Sequence, residues 1–302
     1  MDLQAFAKRL DQEFDVNRYL ERDGWNFALT PAERASLLDD AGPTFAATFN
    51  GLVLAGANGS RVVGRVYLLV FPELSLVDQV IAAERERGTP GAVIVTHHPM
   101  DMENAGRGFI AIPPRQLIEM REARIGMYVL HAPLDCHHEI STSGALAAGL
   151  GLRRVGTFAP YVAGHAGVVG EQKPEPFAVF AERVRRLCEL SSLHPEQIRF
   201  AGRMVERVAI VAGGGDDVTQ IDGAQALGAD TYLAGVWWTP HTGEWPDANR
   251  AAIRDAMPRW TMNFLSASHD GSELVVFRDR LQPLFEEWGL DVELVRQADH
   301  WR

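Results

Sequence analysis

The run Ala92-Val93-Ile94-Val95-Thr96-His97-His98-Pro99 constrains this chain more than any other stretch. Its apolar, mostly β-branched residues suit a strand covered on both faces. Pro99 cannot continue a ladder, and it drives His98 toward extended backbone. The two imidazoles therefore fall at the carboxyl end of a buried strand, where open α/β sheets place their ligands. Neighbouring side chains on extended backbone point to opposite sides. That arrangement suits one nitrogen offered to each of two ions better than two nitrogens on one ion. Loop histidines without a ligand are the plainer alternative.

Around this strand the chain alternates strands and helices, the pattern of an α/β fold. Leu3, Phe6, Leu10 and Phe14 give 3–19 a helical face. Thr30-Pro31-Ala32-Glu33 reads as a capping box opening a helix over 31–40. The run 49–57 leads into a strand or an edge loop. Strands are expected at 66–71, 92–96, 125–130, 205–211, 231–234, 260–267 and 291–294. Helices are expected at 75–87, with Gly88 as cap, and at 115–122, 142–150, 175–190, 218–227, 246–257 and 273–288, the last broken near Pro283. The polar stretch 101–108 is a loop and a candidate lid. Gly156, Gly164, Gly167 and Gly170 punctuate a segment read as a crossing between lobes. The second strand–helix–strand passage echoes the first, which suggests two lobes: 1–132 with 247–302, and 133–246.

Bulk properties narrow the function. The 302 residues, 46% hydrophobic and 23% charged, have the make-up of a globular protein large enough for two cores. A net charge of −11 disfavours a nucleic-acid surface. The two cysteines, Cys136 and Cys188, form neither a disulfide framework nor a metal-knuckle spacing, as in a reducing compartment. No secretion signal is visible at the start, and no apolar run approaches the roughly 20 residues of a membrane helix. A cytoplasmic location, with no membrane partner, is expected.

Two further clusters follow predicted strands. His131-Ala132-Pro133-Leu134-Asp135 offers an imidazole and a carboxylate around a proline, and His269 and Glu273 share a helix face by their spacing of four. Strand carboxyl ends lie along one edge of a parallel sheet, so these segments can converge with His97 and His98. Imidazole and carboxylate donors suit Zn, Mn, Fe, Co or Ni, and the lack of cysteine ligands argues against a structural zinc knot. Five ligands over two ions leave positions for water, and Glu273 is able to bridge them. Paired ions of this kind hold a hydroxide at neutral pH.

With Thr96-His97-His98-Pro99, His131-x-x-Leu134-Asp135 and His269-x-x-x-Glu273 in this order, the chain resembles the Nif-three-like dinuclear-metal proteins, the GTP cyclohydrolase I type 2 homologues. The resemblance extends over about residues 50–290. It implies two similar α/β lobes with mixed sheets flanked by helices, and a homohexameric ring whose metals face an internal cavity. It implies two divalent metal ions held by His97, His98, Asp135, His269 and Glu273, with His131 beside them facing substrate. The implied activity is that of a metal-dependent hydrolase, with a metal-bridged hydroxide as nucleophile opening the purine ring of a small-molecule nucleotide, and His131 transferring protons. A metal-handling or scaffold protein would use the same ligands. Two positions depart from the family pattern. Ala132-Pro133 follows His131, and Val236-Trp237-Trp238 stands where an acidic residue is usual. The indoles are read as pocket wall, core or subunit contact.

Other motifs invite blander readings. Gly213-Gly214-Gly215-Asp216-Asp217 either cradles a phosphate or makes a tight turn capped by Asp217. Cys136 reads as a buried filler, His137 and His138 as solvated loop residues, His165 as structural, and His194, His241 and His300 as surface residues.

Overall fold

The computed structural model describes residues 1–21, 28–54, 62–102 and 108–301. Among them the chain forms two compact units. One contains the described residues of 1–102 with 108–134 and Arg280–Ala298. The other contains Asp135–Asp279 and 299–301. The segment 247–279, expected with the first lobe, belongs to the second unit. The reason is that Asn263–Ser266 pairs in parallel with Thr231–Val236.

The first unit is built on a five-stranded sheet in the order Gly51–Leu54, Gly126–Val129, Ala92–Thr96, Arg65–Leu69, Asp291–Leu294. Only the first pairing is antiparallel. The central strand is buried at every position. Its Ile94 and Val95 are wholly enclosed, each contributing about 1.5–3 kcal/mol on burial. Strand alternation puts Tyr67, Leu69, Ile94, Met127 and Val129 in one cluster, together with Val77, Val80 and Ile81 of helix Leu74–Arg87 and Leu117 and Met120 of helix Pro114–Glu122. Helix Leu3–Glu13 brings Phe6 to Tyr128, ring centroids 6.5 Å apart, and to Phe285, 5.7 Å apart. This helix stops short of the expected Tyr19, because Asp15 adopts a left-handed conformation at φ +48°. The Thr30–Glu33 capping box forms, and its helix runs Pro31–Leu38. The stretch read as a loop and lid opens on Asp101–Met102, a short strand paired antiparallel with Phe109–Ile110 just beyond it. The rest of that expectation, 103–107, lies outside the described residues, as does 55–57 of the expected edge segment.

The second unit carries a six-stranded mixed sheet in the order Arg153–Tyr161, Gly164–Glu175, Val205–Gly214, Thr231–Val236, Asn263–Ser266, Ile198–Arg199. The strands Val205–Gly214, Thr231–Val236 and Asn263–Ser266 run parallel. The glycine-punctuated segment is a long antiparallel hairpin in this sheet, not a crossing. A Cβ on Gly167 would lie 2.5 Å from Phe158 Cε1, and one on Gly170 2.8 Å from Leu152 Cβ. These glycines let Phe158 of the partner strand and Leu152 just before it close over the backbone. Helices Val218–Ala226 and Glu244–Ala256 cover one face, burying Ile221, Ala224, Ile253 and Ala256 against Ala209, Val211, Tyr232 and Phe264. No helix among the described residues is long and apolar enough to cross a membrane.

Candidate metal centre

In the first unit, the parallel pairing of Ala92–Thr96 with Gly126–Val129 continues one step, through Leu130 N–H to the Thr96 carbonyl at 2.9 Å. His97 and His131 therefore emerge side by side at the carboxyl ends of neighbouring strands. The backbone N–H groups of both His97 and His98 donate to the Val70 carbonyl, each at 3.1 Å. The chain bends directly after Thr96. That bend replaces the expected alternation, and the rings of His97 and His98 stand 4.6 Å apart, edge to face. The His131 ring lies 4.7 Å from His97 and 4.8 Å from His98, centroid to centroid. All three histidines are buried. They can offer three nitrogens within 4.8 Å of one another, a group suited to hold a metal ion.

The fit to a metal is supported by what orients these rings. His97 Nδ1 sits 2.8 Å from the Leu130 carbonyl. A carbonyl only accepts, so Nδ1 carries a proton and Nε2 is the nitrogen left to face a metal. Backbone carbonyls commonly fix metal-binding histidines in this way. His98 is held flat against Phe71, with ring centroids 4.1 Å apart and planes 2° from parallel. His131 Nδ1 lies 2.8 Å from Glu21 Oε1.

In the second unit, Asn263–Ser266 leads through Ser268 into helix His269–Val276. His269 Nε2 and Glu273 Oε1 are 3.3 Å apart on one helix face, as their spacing requires. Ser268 sits at φ +63° and ψ 148°, a strained conformation for a residue with a side chain. Its Oγ accepts the Gly271 N–H at 2.9 Å and donates to the His300 carbonyl. The buried Asp270 carboxylate pairs with His300 Nδ1; burial raises its pKa, and His300 opposes that rise. Asp135 is buried as well, and its Oδ1 accepts the Thr142 hydroxyl at 2.7 Å.

The triglycine turn borders this helix. Gly213, at φ +76°, approaches so closely that a Cβ there would lie 3.0 Å from His269 Nε2. Gly213 N–H donates to Ser272 Oγ and Gly215 N–H to the Val236 carbonyl, each at 2.9 Å. Two of the turn's three N–H groups are thus engaged internally, which favours the turn reading over a phosphate cradle. Asp217 caps the following helix as expected, accepting Thr219 N–H at 2.6 Å. Asp216 accepts Asn249 Nδ2 at 2.6 Å, and burial pushes its carboxyl up to about 6.

Several peripheral readings change. His241 is buried rather than superficial, and burial lowers its pKa, with His269 and Arg250 adding to the effect. His300 is half-buried against Asp270. His165 and His194 are exposed, and His138 is largely so. His137 Nδ1 accepts the N–H groups of Glu139 and Ile140 rather than being merely solvated. Cys136 is half-buried and donates weakly to the Tyr161 carbonyl at 3.4 Å. Trp237 belongs to the core. Its ring lies 5.0 Å from Phe264, and its indole N–H donates to the Gln197 carbonyl at 2.9 Å. Sequence reasoning missed Glu21 altogether. It stands 110 residues before His131, in a stretch without motif or periodicity.

A family model described as Duf34/NIF3 (NGG1p interacting factor 3) matches residues 47–299. A protein of Pyrococcus horikoshii called GTP cyclohydrolase 1 type 2 homolog is 28% identical over 52% of this chain and 62% of its own length. One of the same name from Vibrio cholerae is 22% identical over 79% of this chain and 88% of its own. The crystal structure of a Thermus thermophilus protein, TTHA1606, shares the fold, with a TM-score of 0.62 at 20% identity over 99% of each chain.

Proposed function

The chain belongs to the Duf34/NIF3 family, and on that premise we propose that it is a dinuclear metal-dependent hydrolase acting on a small nucleotide. The observation that carries this reading is the trio His97, His98 and His131, whose nitrogens converge while the Leu130 carbonyl fixes the proton of His97. In this reading His97, His98, Asp135, His269 and Glu273 would hold the ions, with His131 kept for proton transfer. Divalent ions held there would supply a hydroxide at neutral pH and polarise the bond it attacks.

The chain's own groups do the rest. Gly213 leaves room beside His269 and Glu273, and Ser272 ties the turn to the helix. His131 Nε2 would take up the proton released by the attacking water and hand it to the departing ring nitrogen as the attacked C–N bond opens, so that the net change is one water added across that bond. The nucleotide class rests on the names of the Pyrococcus and Vibrio relatives. A hexameric assembly belongs to this proposal too, by resemblance.

The test is turnover by chelator-treated protein reloaded separately with Zn, Mn, Fe, Co and Ni, against a purine nucleoside triphosphate panel. Loss of purine absorbance only with reloaded protein is the expected result. Rapid ion exchange with no turnover on any nucleotide overturns it in favour of ion handling.

A further inference from the structure

We propose that Glu21 is the positioning residue for His131, holding its ring with Nδ1 protonated and Nε2 presented to His97 and His98. Glu21 is only 5% exposed. A carboxylate buried so deeply is costly unless donors surround it. Its Oε1 takes His131 Nδ1 at 2.8 Å, and its Oε2 takes the Ala132 backbone N–H at 3.0 Å and Asn50 Nδ2 at 2.7 Å. Asn50 in turn accepts the His131 backbone N–H on Oδ1 at 2.7 Å. The Glu21 N–H donates to the Thr48 carbonyl at 3.1 Å, and the Asn50 N–H to Thr48 Oγ1 at 3.0 Å. One carboxylate and one amide thus hold the backbone on both sides of the His131 peptide, and the carboxylate also holds the ring.

The chemistry of the grip fixes the tautomer. A carboxylate engaged by donors only accepts, so the nitrogen facing it must be protonated. Nε2 is then the nitrogen the ring presents to its two neighbours, whose centroids lie 4.7 and 4.8 Å away. Asn50 and His131 fall inside the stretch the family model matches, whereas Glu21 lies before it. The grip is therefore completed from outside the matched stretch. The inference relies on the hydrolase reading only for what His131 does with its far nitrogen.

The Glu21→Gln variant isolates the effect. A glutamine keeps one accepting oxygen. Placed at the Oε2 position, it still satisfies Ala132 and Asn50, and its amino group then faces His131 Nδ1. The ring must answer by moving its proton to Nε2. The experiment reads the ring nitrogen-15 shifts of His131 at pH 8 in chelator-treated protein, wild type against E21Q. Expected are a protonated Nδ1 and unprotonated Nε2 in the wild type, and the reverse in E21Q. An Nε2 proton in the wild type, or identical spectra in the two proteins, overturns the inference. The wild-type spectrum decides it even if E21Q folds poorly. In reloaded protein, E21Q should keep its ions and lose about ten- to a hundredfold in kcat with KM little changed. Reloaded wild type that binds no ions sinks the hydrolase reading, while the metal-free spectra still judge Glu21.

Discussion

Gly213 and Glu273 lie so close that a Cβ on the former would sit 2.1 Å from Oε1 of the latter. The backbone itself is the wall against which that carboxylate rests. The Gly213→Ala variant should lose both stability and ion uptake. The left-handed φ of +76° alone costs about 1 kcal/mol for a residue with a Cβ, and displacing a buried carboxylate adds to it. Thermal unfolding and ion titration of the variant check this. A variant matching the wild type in both shows that the turn is not tight.

Asp216 supplies a pH dependence. Its carboxyl is pushed up to about 6 by burial, above an unfolded value near 4. The folded state then binds the proton more tightly than the unfolded one. The stability from this group is present at low pH and is lost as pH rises through about 6. Asp216→Asn should flatten the decline between about pH 4 and 6, by roughly 3 kcal/mol at most. Denaturant midpoints of metal-free protein across that range measure it. A wild-type slope of the opposite sign contradicts the assignment.

Ser268 caps helix His269–Val276 while holding a strained backbone, and its hydroxyl also reaches the His300 carbonyl. Ser268→Ala removes the cap and keeps the strain, so a loss of about 1–2 kcal/mol is expected. Ser268→Gly relieves the strain while losing the cap, and should fall much nearer the wild type. Equal losses in the two variants, read from unfolding curves, would show that the φ of +63° carries no cost.

The strands, the capping box and the shared face of His269 and Glu273 were legible because each is a local pattern. β-Branched runs, a Thr-Pro-x-Glu start and a spacing of four act over a few residues. The hairpin at Arg153–Tyr161 and Gly164–Glu175 was not legible. Its glycines look like turn signals, and only contacts with Phe158 on the partner strand and with Leu152 just before it show that they make room for packing. The same holds for His241, whose polar, turn-like surroundings in sequence hide a buried position. Glu21 was invisible for a stronger reason. Nothing near it in the chain announces a partner 110 residues away. Adjacent histidines after a strand suggested opposite-facing rings, and the bend after Thr96 brought them together.

The central claim is that His97, His98, Asp135, His269 and Glu273 are the ligands of two ions. The most direct measurement is the number of metal equivalents per chain, by elemental analysis and anomalous scattering, in wild type and in the His97→Ala, Glu273→Ala double variant. Two equivalents in the wild type and none in a folded double variant are predicted. Two equivalents retained by the double variant, or none in reloaded wild type, would contradict the account.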